Sequence, residues 1–232
     1  MSRVATVIAV DVRRQAAGGF WLIAVLVGVI VAALARALPG DPGGWWPLLL
    51  LAELVVTCFY FAAAQVLAER DEGVLAALAV TPLGRGEYLA ALTASLGALG
   101  LAESVVLLHL GGARPQRWGF AILAVALVCA LCVLYGVIAV AGYPSMSAFL
   151  LPSGVWTLIL AVPLLPLLGV GNGPWLWLHP LHGCVVMLQV ALGSAPPERA
   201  TPALVLGPCW VMACLLLARR RLRAVVVDGG GR

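Results

Sequence analysis

Six long apolar stretches with almost no charge constrain the fold of this chain more than any other feature. A hydrocarbon layer about 30 Å thick is crossed by roughly 20 apolar residues in an α-helix, and lipid cannot satisfy free backbone N–H and C=O groups. We therefore predict an all-α integral membrane protein with six transmembrane helices in a single domain, residues 1–232. The predicted spans are 20–38, 46–68, 88–110, 118–141, 147–170 and 202–218.

The composition excludes several classes of protein. The chain is 63% hydrophobic and 10% charged, whereas a soluble domain carries about 25% charged residues. A soluble globular enzyme, a disordered chain and a nucleic-acid-binding protein built on basic patches are therefore excluded. The net charge of +4 is too small to predict a nucleic-acid partner, so the placement of the charges matters more than their sum.

Two segments outside the spans are predicted to be helical and to lie at the membrane surface. Residues 2–16 form a predicted amphipathic helix on the cytoplasmic face. Its apolar positions at helical spacing are Val4, Val7, Ile8 and Val12. Residues 171–200, between spans 5 and 6, hold two Trp residues beside an apolar run that is too short to cross a bilayer. This pattern favours a re-entrant or interfacial helical segment on the outer side.

The basic residues predict the orientation. All 14 are arginine, and most of them lie on the side of the membrane that holds the termini when six spans are assumed. Because cytoplasmic segments carry an excess of basic residues, we predict that both termini are cytoplasmic. The chain is then a multi-pass membrane protein.

The sequence offers little for catalysis. It has no G-x-x-x-x-G-K-[ST] loop, so we expect no ATP site of that kind in this chain. Cys129 and Cys132 have the spacing of a redox motif, but they lie inside a predicted span and are interpreted as small packing residues. His179 and His182 are close enough in sequence to hold a metal or haem, or they form an interfacial turn. We predict no catalytic residues, no metal and no cofactor bound by the chain itself.

The ionisable residues inside the spans predict a polar cluster in the outer part of the membrane. Its members are Arg36, Glu53, Glu103 and His109. Such residues are costly in lipid and mark functional sites by default, and we expect Arg36 to pair with one of the glutamates. The cluster is either an outer gate or polar lining for an amphiphilic substrate, or it is an ion pair that fixes helix packing.

A ladder of small residues lies on the first span, at Ala24, Gly28 and Ala32. This spacing lets two helices approach closely. The ladder predicts either an internal helix contact or a subunit interface.

The segment between spans 2 and 3, residues 69–87, is the third informative feature. A charged cluster opens it, a short amphipathic helix over 74–80 follows, and a Thr-Pro-Leu sequence ends that helix. A short helix held between two spans is either a lever on which a cytosolic partner can push or a solvated turn. The residues of interest are Glu69, Arg70, Asp71, Glu72, Gly73, Val74, Leu75, Leu78, Thr81, Pro82 and Leu83.

The order of features in this loop resembles the permease subunits of type-2 ABC transporters. The pattern E-R-x-E-G-x-L-x-x-L-x-V-T-P-L-x-x-x-E-Y runs from Glu69 to Tyr88. The N-terminal helix, the six spans and the long outer segment agree with that family over the whole chain. The compact size, the Trp-Leu-His-Pro-Leu-His-Gly segment and the basic tail resemble small bacterial drug-export permeases of the fluoroquinolone-export kind.

The resemblance implies a mechanism. The chain would be the permease of an ATP-driven exporter that moves a drug, an antibiotic or a lipid-like molecule out of the cytoplasm or the inner leaflet. Two separate ATPase subunits would bind ATP and Mg²⁺, and the 69–83 residues would form the coupling helix and its surroundings. A second permease chain, identical or paralogous, would pair through spans 1 and 5, with the small-residue ladder in the seam. Membrane lipid would surround the pair, and no nucleic acid is implied.

Three alternatives stay open at this point. One is a haem-exporter-like B subunit of cytochrome c maturation, which has a similar length and a similar loop. The others are a membrane-embedded metal enzyme with His179 and His182 as ligands, and a non-transporting membrane scaffold or immunity protein.

Overall fold

The structure is a computed structural model and describes residues 3–37, 42–78, 81–171 and 173–229. Within these ranges the regular elements are all helical, and no strand is present. Six helices in the described ranges are long and apolar enough to cross a membrane, as predicted. They are Phe20–Ala37, Gly44–Asp71, Arg85–Leu110, Trp118–Val140, Met146–Leu168 and Pro197–Arg223.

Ten α-helices are present in the described ranges, and short stretches of other helix types join some of them. The α-helices are α1 (Arg3–Ala17), α2 (Phe20–Ala37), α3 (Pro42–Leu54), α4 (Phe61–Asp71), α5 (Val74–Leu78), α6 (Arg85–Leu110), α7 (Trp118–Val140), α8 (Met146–Ala161), α9 (His182–Ala191) and α10 (Thr201–Gly229). A π-helical turn, Val55–Tyr60, joins α3 to α4 in one continuous span. The 3₁₀ segments are Val162–Leu168, Pro174–Leu178 and Pro197–Ala200.

Helix α7 forms the centre of the bundle, because it packs against α4, α6, α9, α10 and the π-turn. Two glycines allow this close packing. A Cβ atom at Gly136 would lie 2.5 Å from the carbonyl oxygen of Phe59, so α7 touches the backbone of the π-turn. A Cβ atom at Gly100 of α6 would lie 2.9 Å from Cys58 Sγ and 3.1 Å from Cys129 Sγ. Small residues thus bring three spans together, as is common in membrane bundles.

Three span boundaries differ from the prediction. The second span continues as helix through Asp71, so Glu69, Arg70 and Asp71 belong to α4 and not to a loop. These residues are compatible with a helix, and the polar ones find partners on neighbouring elements. Helix α10 likewise continues beyond residue 218, and its buried Leu222 lies in the part that follows. The third span begins at Arg85, so the predicted loop is shorter than 69–87 at its C-terminal end as well.

The fifth span changes its helix type near its end. Helix α8 stops at Ala161, and a 3₁₀ segment with Pro163 and Pro166 completes the span. Proline has no N–H to donate, so it cannot continue the regular α-helical hydrogen bonds.

Helix α1 packs on the bundle through polar side chains. The buried residues of α1 are Asp11 and Gln15. Their polarity predicts contact with solvent, but their helical spacing places both on the face that carries the apolar positions. They are buried there because polar groups on α4 and α6 pair with them, as described below. The apolar positions Val4, Val7, Ile8 and Val12 are half-buried.

Candidate functional site

A groove of about 640 Å³ lies between α2 and α6 and is partly open to the outside of the bundle. Apolar side chains make up its walls apart from Arg36 and Glu103. The remaining lining residues are Trp21, Ala24, Val25, Gly28, Val29, Ala32, Ala33, Leu99, Ala102, Val106, Leu107 and Leu110. Its volume is in the range that holds a drug-sized ligand.

The two intramembrane glutamates lie side by side beneath this groove. Glu53 is fully buried and accepts a hydrogen bond from Ser104 Oγ at 3.3 Å. Glu103 accepts one from Thr57 Oγ1 at 2.8 Å, and its carboxyl group is a neighbour of the Glu53 carboxyl. A hydrogen bond joins the two carboxyl groups, so they share a proton, and the Oε1 atom of each glutamate is buried. We name Glu53 and Glu103 the acid pair.

Arg36 does not pair with either glutamate. Its guanidinium donates to the backbone carbonyl of Leu110 at 2.5 Å. Leu110 ends α6, where helix carbonyls lack partners within the helix and attract cations. In the described part of the chain, the ion pairs are those of Arg14 with Glu69 and Glu72. The prediction of an Arg36–glutamate pair is therefore wrong.

His109 is also separate from the acid pair. Its Nδ1 atom contacts the carbonyl of Val105 at 3.0 Å, and its ring lies 5.1 Å from the ring of Trp118. The four residues predicted as one outer cluster thus form three separate sets of contacts.

The small-residue ladder faces α6 of the same chain. Ala24, Gly28 and Ala32 all line the groove, and Ala24 is buried. A Cβ atom at Gly28 would lie 3.4 Å from Glu103 Oε1, so α2 passes close to the acid pair at this point. In this structure the ladder is an internal contact.

A second polar network lies at the end of the bundle that carries α1, α5 and most arginines, which we name the basic end. At its centre is Glu69, which is buried. Tyr88 Oη donates to Glu69 Oε2 at 2.7 Å, and Gln65 Nε2 donates to Oε1 at 3.0 Å. Arg14 of α1 lies 3.6 Å from Glu69 Oε1 and 3.1 Å from Glu72 Oε2.

Helix α1 completes this network with Gln15 and Asp11. Gln15 Nε2 donates to Ser95 Oγ at 3.0 Å and lies 3.4 Å from Gln65 Oε1. Burial, reinforced by the negative charge of Glu69, raises the pKa of Asp11 to about 7, although Arg14 and a hydrogen bond from Gln65 act against the shift. Asp11 therefore titrates near neutral pH.

The predicted coupling residues fall into a buried and an exposed group. Glu69 and Leu75 are buried, whereas Asp71, Glu72, Gly73, Thr81 and Pro82 are exposed. Arg70, Val74 and Leu83 are half-buried. The Leu78 side chain and residues 79 and 80 lie outside the described part.

Contacts from three directions hold α5 and its flanks in place. Helix α5 packs against α4 and α10. Arg70 Nη1 donates to the carbonyl of Tyr143 at 2.9 Å, and Arg3 Nη1 donates to the carbonyl of Pro82 at 3.3 Å. Gly73 has φ of +74°, a conformation that favours glycine and lets the chain turn between α4 and α5.

The two histidines of the outer segment have separate surroundings. His179 Nε2 contacts the carbonyl of Ile159 at 3.0 Å, and the His182 ring meets Trp177 edge-on at 5.0 Å. Burial lowers the pKa of both histidines. Within the described ranges, no group of three or more His, Cys, Asp or Glu residues could hold a metal ion.

Sequence reasoning missed the partners of the buried acids. Glu69 follows its partner Gln65 by four residues, which places both on one helix face, and this spacing is the signal that could have identified the contact. The partners of Glu53 and Glu103 lie on other spans, so no spacing in the sequence indicates them. The helical spacing of Asp11 and Gln15 from the apolar positions of α1 is the signal that both pack inwards.

Comparison with known proteins identifies the group to which the chain belongs. Comparison with curated proteins finds no match. The sequence profile of the fluoroquinolones export permease protein family matches residues 2–229, which is nearly the whole chain. The chain is therefore a member of the fluoroquinolones export permease protein family.

Proposed function

We propose that this chain is the transmembrane permease subunit of an ATP-driven ABC exporter of the type-2 class. Its substrate would be an amphiphilic small molecule that leaves the cytoplasm or the inner leaflet. The family membership carries the transport part of this proposal. The apolar groove between α2 and α6, which has the size of a drug-like ligand, supports an amphiphilic substrate.

The proposed coupling element is α5 with its exposed flanks. Asp71, Glu72, Thr81 and Pro82 are exposed at the basic end and would meet a groove in a separate ATPase subunit. Buried Leu75 would transmit the motion, because α5 packs on α4 and α10. ATP and Mg²⁺ would be bound by two such ATPase subunits, and this chain would hold no cofactor.

The placement in the membrane follows from the distribution of arginine. We assign the basic end to the cytoplasm of a bacterial cell and the chain to the plasma membrane. Helix α1 would be an interfacial helix with Val4, Val7 and Ile8 towards the lipid, and α9 with its flanking 3₁₀ segments would be the outer re-entrant segment.

A second permease chain would complete the transporter. Helices α2 and α8 expose large apolar side chains, such as Leu22 and Leu151, that need lipid or protein to cover them. We propose that the two chains, identical or paralogous, meet through these first and fifth spans.

Co-purification tests the ATPase partner. The affinity-tagged full chain, purified from native membranes in mild detergent, should bring down an ATPase with a Walker motif. Substitution Ala77→Asp, on the exposed face of α5, should reduce the recovered ATPase at least several-fold, because it adds a charge to the docking surface. The variant should still insert at the wild-type level.

Ser194→Asp is the matched control, because Ser194 is exposed near the C-terminal end of α9, away from α5. It should leave the recovered ATPase unchanged. Absence of any ATPase from the wild-type preparation, or equal recovery with Ala77→Asp, would contradict the proposed coupling role.

A further inference from the structure

The acid pair has no basic side chain beside it. Arg36 contacts the Leu110 carbonyl, and in the described ranges no ion pair reaches Glu53 or Glu103. The two carboxyl groups share a proton through their hydrogen bond, which leaves one negative charge on the pair. A single charge inside an apolar bundle is costly and is stabilised by a cation. The chain thus leaves a place for a cation.

The position for a cation beside the acid pair lies on the wall of the groove. Glu103 lines the groove, while Glu53 lies behind it and is fully buried. Thr57 donates a hydrogen bond to Oε2 of Glu103. The Oε1 atom is buried beneath Gly28 of α2, and Gly28 also lines the groove.

The lining of the groove selects the kind of cation. A metal ion such as Ca²⁺ needs six or more oxygen ligands, and Mg²⁺ needs an octahedral set. The groove wall offers the Glu103 carboxyl and otherwise apolar side chains, with Arg36 as its second charged residue. An organic cation with a large apolar body and one charged nitrogen matches this surface.

We propose that the groove between α2 and α6 binds cationic amphiphiles, with the charged nitrogen at Glu103 and the apolar body along Ala24, Ala102 and Val106. The proposal rests on the proposed exporter function and adds a site and a substrate class to it. Arg36 at one end of the groove repels a second positive charge and thereby sets the direction in which the ligand lies.

Dye binding to the chain alone tests the site. The full chain in lipid nanodiscs is titrated with rhodamine 6G, a cationic apolar dye, and with fluorescein, an anionic dye with a related ring system. Fluorescence anisotropy is measured with empty nanodiscs subtracted. Rhodamine 6G should bind, and fluorescein should bind at least about tenfold more weakly, because the Glu103 carboxyl attracts one charge and repels the other.

Two variants locate the binding. Glu103→Gln should weaken rhodamine 6G binding about tenfold, whereas Glu198→Gln, an exposed control at the start of the sixth span, should leave it unchanged. Ala102→Leu narrows the groove without replacing either glutamate and should also weaken binding. If Glu103→Gln does not yield folded protein, unchanged binding by Ala102→Leu is sufficient to overturn the proposal.

The comparison of the two dyes also tests the proposed site. Equal binding of both dyes, unaffected by the variants, would show that the dyes bind outside the groove and would overturn the proposal. The dye measurement needs no ATPase, so a negative dye result would contradict the cation site but not the proposed ATPase partner. A negative co-purification would contradict the ATPase partner but not the cation site.

Discussion

At the scale of single residues, Asp11 at the basic end has an unusual environment. Asp11 is a carboxyl group buried on a helix that lies outside the membrane spans, and its neighbours include another acid, Glu69. The charge of Arg14 on the same helix and a hydrogen bond from Gln65 of α4 offset part of the cost of this burial. The stability of the chain should therefore depend on pH through this residue.

We predict that the wild-type chain loses stability as the pH rises from about 4 to about 7. The folded state raises the pKa of Asp11 from 3.8 to about 7, so it holds the proton more tightly than the unfolded state. The free energy of unfolding then falls through this window, by at most about 4 kcal/mol, and is level above it. Thermal unfolding in detergent at several pH values measures this fall.

The variant Asp11→Asn should remove most of that pH dependence, because an amide resembles the neutral carboxyl. The exposed Asp71→Asn serves as the control and should keep the wild-type profile. A profile of Asp11→Asn that is as steep as that of the wild type would show that other groups cause the fall.

At the scale of elements, the second span is the least regular part of the bundle. A π-turn interrupts it at Val55–Tyr60, and the ring of Phe59 contacts the rings of Tyr135 and Phe149. Such turns occur often at functional sites. This turn carries Thr57, which donates to Glu103 of the acid pair, and it is followed on the same span by Gln65 and Glu69 of the basic end.

The contact between α7 and this π-turn should be intolerant of any added side chain. Gly136→Ala places a methyl group 2.5 Å from the Phe59 carbonyl oxygen, so the helices must separate. We expect a loss of about 1–3 kcal/mol and a lower unfolding temperature in detergent. Gly119→Ala on the same helix has no atom within 4 Å of the new methyl group and is the matched control. Equal stability of the two variants would contradict the close backbone contact.

The sequence predicts the elements better than it predicts the polar contacts. Long apolar runs indicate six spans because their length matches the thickness of lipid. The contact of Arg36 with Leu110 depends on which helices are neighbours, and the sequence does not give this. Charge complementarity alone predicted a glutamate as the partner of Arg36. Hydropathy places Glu53 and Glu103 in the membrane, whereas their adjacency depends on the packing of α3 against α6. The polarity of Asp11 and Gln15 on α1 predicts that they meet solvent, but both are buried in the structure. The hydrogen bonds that they make with polar groups on neighbouring spans favour this orientation.

At the scale of the whole molecule, the spans divide into a core and a periphery. Helix α7 and the second span are largely buried, whereas α2, α8 and α10 bury only a small share of their side chains. A monomer in lipid would leave these peripheral faces to acyl chains. A paired permease would cover part of them with a second chain.

Cysteine cross-linking distinguishes these states. In a variant without the native cysteines, Leu151→Cys on α8, which is 90% exposed, should form disulfide-linked dimers in membranes if the fifth span lies in the seam. Met212→Cys on α10, which is also exposed, should remain monomeric. Cross-linking of neither variant, or of the second alone, would contradict the proposed seam.

The buried polar residues of α1 also have a consequence for biogenesis. Gln15 bonds to Ser95, 80 positions later in the chain, and meets Gln65, 50 positions later. During translation α1 and the first span emerge well before these partners exist. Helix α1 can therefore dock only after the second and third spans have been inserted. A docked α1 indicates that the N-terminal half of the protein has assembled.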